Sequence, residues 1–582
     1  MVEICRHIGE FFMNVENWHG NCSIYRHKKK QLPTKGEKKM GKQESGGLVE
    51  RNITLRTAVL MMYCLVAAGA FGIEGMISDS GPGMTIVILC ILPFVWAAPQ
   101  ALCSAELGSF ITDAGGFYKW IQRGLGEFWG FAGGWCRTVS CYIDNTLYIV
   151  LAGSYAQMLI PGMTDTAKFI FMVVLILIFT VINLLGIEEV GRVSTIFSVI
   201  IFIAFMAVTV VGFAHWQYNP MEPFYNSEDY TLIGSVGAGL ATGMWTYSGY
   251  TSMSTLATEC KDKSVIPKGL LIIMPLVAIS YLLPTIAGLA SVGQWQDWGT
   301  DGVGISFGNV LALAGAWGLP CFTIAAVIAN LSLFNTQMIS ISRGFYGMAL
   351  DNLAPKALLK VSKNRHVPYI GVLSLTAVTL LLCNFDFSVL VTMDVTMLMV
   401  DYVLVFISAA RLRRIEPDTP RPFRIPFGDN FVKILITPGL IIACAALFLN
   451  GADYYLGGMI AFISAPVLYV IWKRKYGGLY ANDPEKYPID SRTKLVVGDY
   501  SRMAIVFGIL AAIGLIGGLF WFNYYEVDWE SYYGETYPFL GGTDEEITDR
   551  IYNSITVVSV IYALTAIVLR IRDVKLRKTE TQ

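Results

Sequence analysis

Charged residues are scarce in this sequence. Only 15% of its 582 residues are Asp, Glu, Lys or Arg, and 54% are hydrophobic, whereas an average soluble domain has about 25% charged residues. The hydrophobic residues are gathered in many long runs, which are typical of helices that cross a bilayer. The shortage of charge therefore excludes an ordinary soluble protein. The formal net charge of -1 also gives no reason to expect nucleic acid as a partner.

Signatures of metal, nucleotide and enzyme chemistry are missing as well. The 11 Cys do not occur in metal-binding pairs, the 5 His are dispersed, and the phosphate-binding patterns GxxxxGKS and GxxxxGKT are absent. We therefore expect no metal, no cofactor and no ATP-driven pumping, and we regard a membrane-embedded enzyme as the weakest alternative.

Fourteen apolar runs approach the length of about 20 residues that spans the hydrocarbon core. They lie at 56–78, 84–110, 128–158, 167–186, 191–214, 231–257, 269–291, 316–348, 368–385, 388–410, 432–450, 454–472, 502–524 and 551–570. The loops alternate in charge along the chain: KDKSVIPK and RLRRIEPDTPRPFR lie on one side, and the nearly Lys- and Arg-free HWQYNPMEPFYNSEDY and GQWQDWGTDGVG on the other. Positive loops are typically cytoplasmic, so the alternation supports an even number of spans and two cytoplasmic termini.

Two of the spans contain stretches that interrupt a helix. In the first, Gly69, Gly72 and Gly75 each lower helix propensity by about 1 kcal/mol relative to Ala, and the sixth contains GMWTYSGYTS. A broken helix is tolerated in lipid only where its freed backbone groups face protein or water, although glycines in spans can also serve close helix packing. Because the stretches occupy the first and sixth positions, we interpret them as the discontinuous helices of an inverted-repeat transporter with a midplane site.

Longer motifs resemble a known family. The segment ILPFVWAAPQALCSAELGSFITDAGGFYKWIQRGLGEFWGFAGGW is similar to the second span and first cytoplasmic loop of the amino acid–polyamine–organocation (APC) superfamily. RLRRIEPDTPRPFRIP resembles the basic loop after its tenth span, and ANLSLFNTQMISISRGFYGMALDNLAPKAL resembles its eighth span. YIDNTLYIV and GAFGIE resemble segments of the amino acid/polyamine permease branch. GAFGIE is more similar to the polyamine permeases than to the amino acid permeases.

The resemblance implies an all-α integral membrane protein with a five-plus-five inverted-repeat transporter core followed by extra helices. The apolar runs give about 14 transmembrane helices in total, and the last two lie beyond the twelve that are usual in the family. The resemblance also implies secondary transport of amino acids, polyamines or related amines across the plasma membrane, by symport or exchange. On this basis the chain divides into five regions: a disordered cytoplasmic N-terminus at 1–50, the transport core at 51–411, helices eleven and twelve at 412–475, a cytoplasmic linker with two additional helices at 476–572, and a cytoplasmic tail at 573–582.

The chain departs from the polyamine-permease pattern at positions that bear on the substrate. Thr251 stands where polyamine-type members often have Asp, and Asn335 and Gln337 replace acidic residues of the eighth span. The fifth span also lacks the Lys of some proton-coupled relatives. Amino acids and polyamines therefore both stay open as substrates, as do a coupling proton and a counter-transported amino acid. An amine sensor that does not transport is a further alternative.

Glu74 lies in the first turn of the half-helix that follows the first break. An ionisable group within a span costs at least about 2.5–3.5 kcal/mol, so it should face a cavity or a partner. Three roles are open. Glu74 could bind a substrate amine, it could carry a coupling proton because desolvation favours the protonated carboxyl group, or it could accept hydrogen bonds from backbone N–H groups of the break.

Asp144 is the second acid within a span. Arg137 precedes it by two helical turns, too far for an ordinary intrahelical ion pair, so a substrate amine or a polar group of another helix is an equal candidate. Trp245, Tyr247 and Tyr250, at the second break, would either form a cation–π wall for an ammonium group or pack in the interior.

We expect the partners to be a small amine-bearing substrate and the lipid bilayer. Glu106, near the cytoplasmic end of the second span, is expected to have a surface or loop-anchoring role. The substrate site is assigned to the two breaks together with one position each in the third and eighth spans: Gly69, Ala70, Phe71, Gly72, Ile73, Glu74, Asp144, Trp245, Tyr247, Ser248, Gly249, Tyr250 and Asn335.

Overall fold

The structure is a computed structural model that describes residues 55–67, 71–113, 115–160, 162–185, 187–228, 230–251, 264–299, 304–362, 367–522, 533–534 and 536–580. Helices, turns and loops make up this part of the chain, which contains no β-strand; an isolated bridge joins Trp298 to Ile305. The all-α prediction is thereby confirmed for the described residues. The N-terminal segment 1–50, expected to be disordered, lies outside them, as do Gly69 and Ala70.

The helices in chain order are α1 Leu55–Ala67, α2 Ile73–Ser80, α3 Pro82–Phe110, α4 Phe117–Leu125, α5 Glu127–Leu159, α6 Asp165–Leu185, α7 Ile187–Ala214, α8 Leu232–Thr246, α9 Val265–Ser291, α10 Phe307–Ala312, α11 Gly318–Leu350, α12 Tyr369–Leu382, α13 Phe387–Ile415, α14 Gly428–Leu449, α15 Ala452–Phe462, α16 Ser464–Tyr476, α17 Asp499–Trp521 and α18 Asp544–Glu580. Short 3-10 turns lie at Trp295–Asp297, Lys356–Leu359, Gly478–Ala481 and Pro538–Leu540.

Each predicted span falls wholly or partly on one or more of these helices. Within the described residues, nine helical stretches are long and apolar enough to cross a membrane: α3, α6, α9, α11, α13, α14, the run of α15 and α16, α17 and α18. The chain is thus a multi-pass membrane protein. α5 has the length to span as well, but its interior carries many polar residues.

Helix ends occur at both glycine-containing stretches. α2 begins only at Ile73, in the interior of the first predicted span, and α8 ends at Thr246 instead of continuing to residue 257. After α8, Gly249 has a φ of +104°, a left-handed conformation that costs little only for glycine. The first and sixth predicted spans therefore each contain a helix terminus in their interior.

The middle of α3 contains a π-helical turn, Pro93–Ala97. Proline has no N–H group to donate to the preceding helical turn, and such turns relieve the resulting mismatch. The turn brings Trp96 to the end of α8, where its Nε1 donates to the Met244 carbonyl at 3.1 Å and to Ser248 Oγ at 3.3 Å.

α5 packs along both α11 and α13 and is the central helix of the described fold. Glycines on α5 permit close approach to its neighbours. A methyl group on Gly134, for example, would lie 2.9 Å from the Tyr118 ring of α4. The polar side chains of α5 are therefore enclosed by other helices.

Glu106 anchors the loop between α13 and α14. It is buried at the end of α3 and accepts from Arg413 Nε at 2.8 Å, from Arg413 Nη2 at 2.5 Å and from the Ile425 backbone N–H at 2.9 Å. The loop-anchoring prediction for Glu106 is confirmed, whereas a surface position is wrong. α13 continues to Ile415, past residue 411, where we placed the end of the core.

The last two helices form a hairpin beyond the core. α17 and α18 pack against each other and, with α15, enclose a small hydrophobic cluster of their own. Tyr562 of α18 donates to the Met459 carbonyl of α15 at 3.0 Å. Large apolar side chains on the outer face of α18, such as Leu564 and Val568, are exposed, as expected for a helix that faces lipid.

Candidate functional site

Asp144 lies where three helices meet. It is buried on α5, its Oδ1 accepts from Trp245 Nε1 of α8 at 2.8 Å, and its Oδ2 accepts from Gln337 Nε2 of α11 at 2.9 Å. The expectation that a polar group of another helix would be its partner is thus met twice. Gln337, which the sequence marked as a departure from the family, is one of these two groups.

Aromatic rings surround the indole of Trp245. The Tyr148 ring lies 5.9 Å from it, and the Phe387 ring meets it edge to face at 5.5 Å. Gly72 abuts both Trp245 and Phe387, since a methyl group there would lie 2.8 Å from Trp245 Cζ3 and 2.9 Å from Phe387 Cζ. Residues from the first and second breaks therefore meet beside Asp144.

α13 adds two further buried carboxylates, Asp394 and Asp401. Ser140 Oγ of α5 donates to Asp394 Oδ1 at 2.6 Å. Asp394 lies close enough to Asp144 and to Arg137 for their charges to interact, and Asp401 lies within the same reach of Arg137. Four charged side chains are thus enclosed between α5 and α13.

Arg137 is the cation of this group. Its guanidinium lies over the Phe117 ring at 6.0 Å and over the Tyr402 ring at 5.7 Å, positions that favour a cation electrostatically. Among the described residues no group of His, Cys, Asp or Glu side chains could hold a metal ion.

Sequence reasoning missed Asp394 and Asp401. The signal was present, because both lie in the predicted tenth span, two helical turns apart and so on the same helix face. Charged residues inside a span are costly and usually mark a functional site. Tyr148 and Phe387 carried no comparable signal, because aromatic residues are common in spans.

Glu74 is fully buried and held by partners outside the first break. Its Oε1 accepts from the Phe307 backbone N–H of α10 at 2.7 Å, and its Oε2 accepts from Tyr155 Oη of α5. Tyr155 Oη also lies 3.2 Å from the Phe71 carbonyl oxygen. Of the three roles considered, these contacts fit the structural one best, with the correction that the donor N–H belongs to α10 and not to the break.

Phe71 and Ile73 are fully buried and contribute to packing. The Phe71 ring meets those of Tyr155 at 5.7 Å, Phe205 at 4.9 Å and Phe322 at 5.9 Å. The first break is therefore anchored by an aromatic cluster around Phe71.

The residues after α8 are held by neighbouring helices. Tyr247 Oη donates to the Leu89 carbonyl at 3.0 Å, and Ser248 Oγ donates back to its own helix. The Gly249 N–H donates to Tyr402 Oη at 3.2 Å, next to Asp401. Of the aromatic residues at this break, Trp245 faces Asp144 whereas Tyr247 packs against α3.

Asn335 and Tyr250 are buried but are not among the partners of Asp144. Asn335 Oδ1 accepts from Asn183 Nδ2 of α6 at 2.8 Å. Positions two apart on a helix do not face the same way, so Asn335 points away while Gln337 reaches the carboxylate.

Comparison with known proteins gives a family and relatives. Residues 53–473 match the family model described as amino acid permease. A probable polyamine transporter of Arabidopsis thaliana is 30% identical over 405 residues, which are 69% of this chain and 80% of the relative. The polyamine transporter PUT1 of Oryza sativa subsp. japonica is 29% identical over 442 residues, covering 73% and 80%. The large neutral amino acids transporter small subunit 2 of Oryctolagus cuniculus is 24% identical over 433 residues, covering 71% and 78%.

Proposed function

The chain belongs to the amino acid permease family, and we propose from this premise that it is a secondary transporter of amino acids or polyamines that works by alternating access. Its relatives are named for polyamines and for large neutral amino acids, and both kinds of solute carry an amine. The chain is a transporter and not an enzyme, because the matched family and these relatives consist of transporters.

The proposed architecture is a five-plus-five inverted repeat followed by further helices, about 14 spans in all. The helix start at Ile73 and the helix end at Thr246 support it, because paired interruptions are typical of such repeats. The regions divide at the boundaries given above, except that the core extends to the end of α13 at Ile415. Both termini are proposed to lie in the cytoplasm and the chain in the plasma membrane. The alternation of basic and uncharged loops supports this orientation.

The buried charge between α5 and α13 favours a cationic substrate. Among the described residues, the cation that neighbours the carboxylates of Asp144, Asp394 and Asp401 is the guanidinium of Arg137. The four groups have a formal sum of minus two when all are ionised. Uncompensated charge in a low-dielectric interior costs several kcal/mol. A dicationic polyamine would neutralise the sum, whereas a zwitterionic amino acid would leave it unchanged. This imbalance is the observation that carries the proposal.

The substrate ammonium is proposed to bind between Asp144 and Asp394, against the Trp245 ring. Trp is the best aromatic partner of a cation, and a desolvated contact of this kind contributes about 2 kcal/mol. Gly72 completes the site by admitting the ring. Glu74, Tyr247 and Asn335 are then supporting residues whose own partners are described above.

The test is a thermal-shift screen of purified protein against amino acids and polyamines, followed by uptake of the best ligand into proteoliposomes. We expect polyamines to stabilise the wild type more than neutral amino acids do. Asp144→Asn should weaken uptake at least about tenfold, since a hydrogen bond to a charged group contributes about 1.5–3 kcal/mol.

Asp386→Asn is the matched control, because Asp386 is exposed at the start of α13 and outside the buried group. It should transport like the wild type. Stabilisation by leucine but not by any polyamine would overturn the cationic substrate. Binding without uptake would favour an amine sensor over a transporter.

Coupling to a proton or to a counter-transported amine is proposed as the energy source. The two are separated by loading proteoliposomes with unlabelled substrate or by imposing a pH gradient. Exchange requires internal substrate, whereas proton symport requires only the gradient.

A further inference from the structure

Asp401 is a buried carboxylate that lacks hydrogen-bond donors. It has no exposed surface, and neither of its oxygens accepts a hydrogen bond from the described residues. Asp394, by contrast, accepts from Ser140, and Asp144 accepts from two side chains. A buried ionisable group in a span calls for a partner, so Asp401 is the carboxylate with unused binding capacity.

Asp394 and Asp401 each contact α5, where α13 and α5 run antiparallel to each other. Asp394 bonds to Ser140, and Asp401 Oδ1 would lie 3.8 Å from a methyl group on Gly133. Asp394 and Asp401 are seven residues apart on α13, as are Ser140 and Gly133 on α5. At 1.5 Å per residue, the two contacts are therefore separated by about 10 Å. Asp401 therefore lies toward the end of α5 that the loop charges assign to the cytoplasm.

Arg137 lies between these two contacts along α5, and its single positive charge cannot neutralise both Asp394 and Asp401. Its charge is within reach of Asp394 and of Asp401, and its guanidinium is stacked on the rings of Phe117 and Tyr402. One cation beside three carboxylates leaves room for two more positive charges. The spacing of Asp394 and Asp401 then decides how far apart the two added positive charges can be.

We propose that Asp401 is a second amine-binding position, which holds the distal ammonium of a linear diamine or triamine whose proximal ammonium binds between Asp144 and Asp394. This inference rests on the proposed function and adds a length requirement to it. An extended chain advances about 1.25 Å per bond, so four methylene groups separate two nitrogens by about 6 Å and eight by about 11 Å. The second position therefore suits the longer chain.

The test is equilibrium binding of α,ω-diamines with four to ten methylene groups to the purified full chain, beside alkyl monoamines of equal length. In the wild type we expect diamine affinity to exceed that of the matched monoamine by about 10- to 100-fold near eight methylene groups, and much less at four. Asp401→Asn should remove this advantage, so that each diamine binds about as well as the monoamine of equal length. Asp386→Asn is the control and should keep the wild-type profile.

Asp401→Glu guards against a folding defect, because it keeps the charge on a longer side chain. It should keep the length dependence with the optimum shifted by about one methylene group. A wild-type length profile in Asp401→Asn, or a flat profile in the wild type, would overturn the second position. Unchanged monoamine binding in Asp144→Asn would instead overturn the proposed function, so the two failures are distinguishable.

Discussion

Gly72 is the residue at which the lack of a side chain matters most for the site. The rings of Trp245 and Phe387 occupy the space that a methyl group would need, at 2.8 and 2.9 Å. These are ring carbons fixed by packing and by the bond from Trp245 to Asp144, so neither can yield cheaply. The position of the indole, and with it the shape of the proposed amine site, depends on this glycine.

Gly72→Ala is therefore expected to lower both stability and uptake. Overpacking of this kind costs about 1–3 kcal/mol, and displacement of the indole would weaken its bond to Asp144. Gly457→Ala is the matched control, because a methyl group there meets nothing within 4 Å. Thermal unfolding and amine uptake of the two variants measure the difference. Wild-type uptake by Gly72→Ala would show that the indole is not needed where it lies.

Glu74→Gln is expected to destabilise the protein without changing its ligand response. Both carboxylate oxygens accept hydrogen bonds, and an amide would set an NH2 group against a donor, at a cost of about 1–3 kcal/mol. Glu545→Gln, at an exposed position on α18, is the control. The thermal shift caused by an amine should be the same in all three proteins. Loss of that shift in Glu74→Gln, with stability retained, would return Glu74 to the substrate site.

The importance of Glu74 was visible in the sequence, but its role was not. Ionisable groups in spans are costly, which marks Glu74 and Asp144 in any reading. The choice among roles depends on donors that lie far along the chain, at Tyr155 and at Phe307. No periodicity relates these positions, so only the folded arrangement could decide.

At the scale of elements, the loop after α13 is held by charge as well as by packing. Glu106 of α3 and Arg413 of α13 form a buried, doubly hydrogen-bonded pair. Arg421 Nε lies 3.4 Å from the same carboxylate. The C-terminal ends of α3 and α13 are thereby joined to one loop.

Glu106→Gln should destabilise the protein strongly. Removing one partner of a buried ion pair leaves the other charge uncompensated, which costs about 3–5 kcal/mol. Arg413→Gln alone should cost a similar amount, and the double variant less than the sum of the two. Unfolding of the three variants in detergent gives the coupling energy. Additive losses would mean that the pair does not act as a unit.

A second link between elements should depend on pH. Arg123 of α4 donates to Glu416, after α13, at 2.7 and 3.0 Å, and this hydrogen bonding lowers the pKa of the Glu416 carboxyl from its ordinary value. Because the folded pKa is the lower one, the stabilisation is present above the ordinary value and is lost as pH falls through the folded value. The melting temperature of Glu416→Gln should thus fall below that of wild type at pH 7 and converge with it in acid. Both groups are partly exposed, so the effect is small, and a constant difference across this range would contradict it.

The positions of the helices could be predicted from the sequence, and the approximate positions of their interruptions could be predicted as well. Long apolar runs indicate membrane spans directly, and clusters of glycine indicate the breaks within them. The pairing of elements was not readable. The heptad-like spacing of Asp394 and Asp401 gives one helix face, but its match to Ser140 and Gly133 on α5 is a tertiary register. Sequence patterns within one helix do not encode such a register.

At the scale of the whole molecule, the chain combines a family core with an added hairpin. The match to the amino acid permease family ends at residue 473, and α17 and α18 follow it. Their cluster with α15 is separate from the larger hydrophobic cluster to which α5 and α13 contribute. The proposed amine site thus lies in the part of the molecule that matches the family of the polyamine and amino acid transporters. Its excess of buried negative charge is the property on which the proposed substrate depends.

The most direct test of this account is the dissociation constant of radiolabelled butane-1,4-diamine for purified wild type and Asp394→Asn. We predict that the variant binds at least about tenfold more weakly, since it loses a charged partner of the ammonium group, while Asp386→Asn binds like the wild type. Equal binding by wild type and Asp394→Asn would contradict the claim that buried negative charge between α5 and α13 selects a cationic amine.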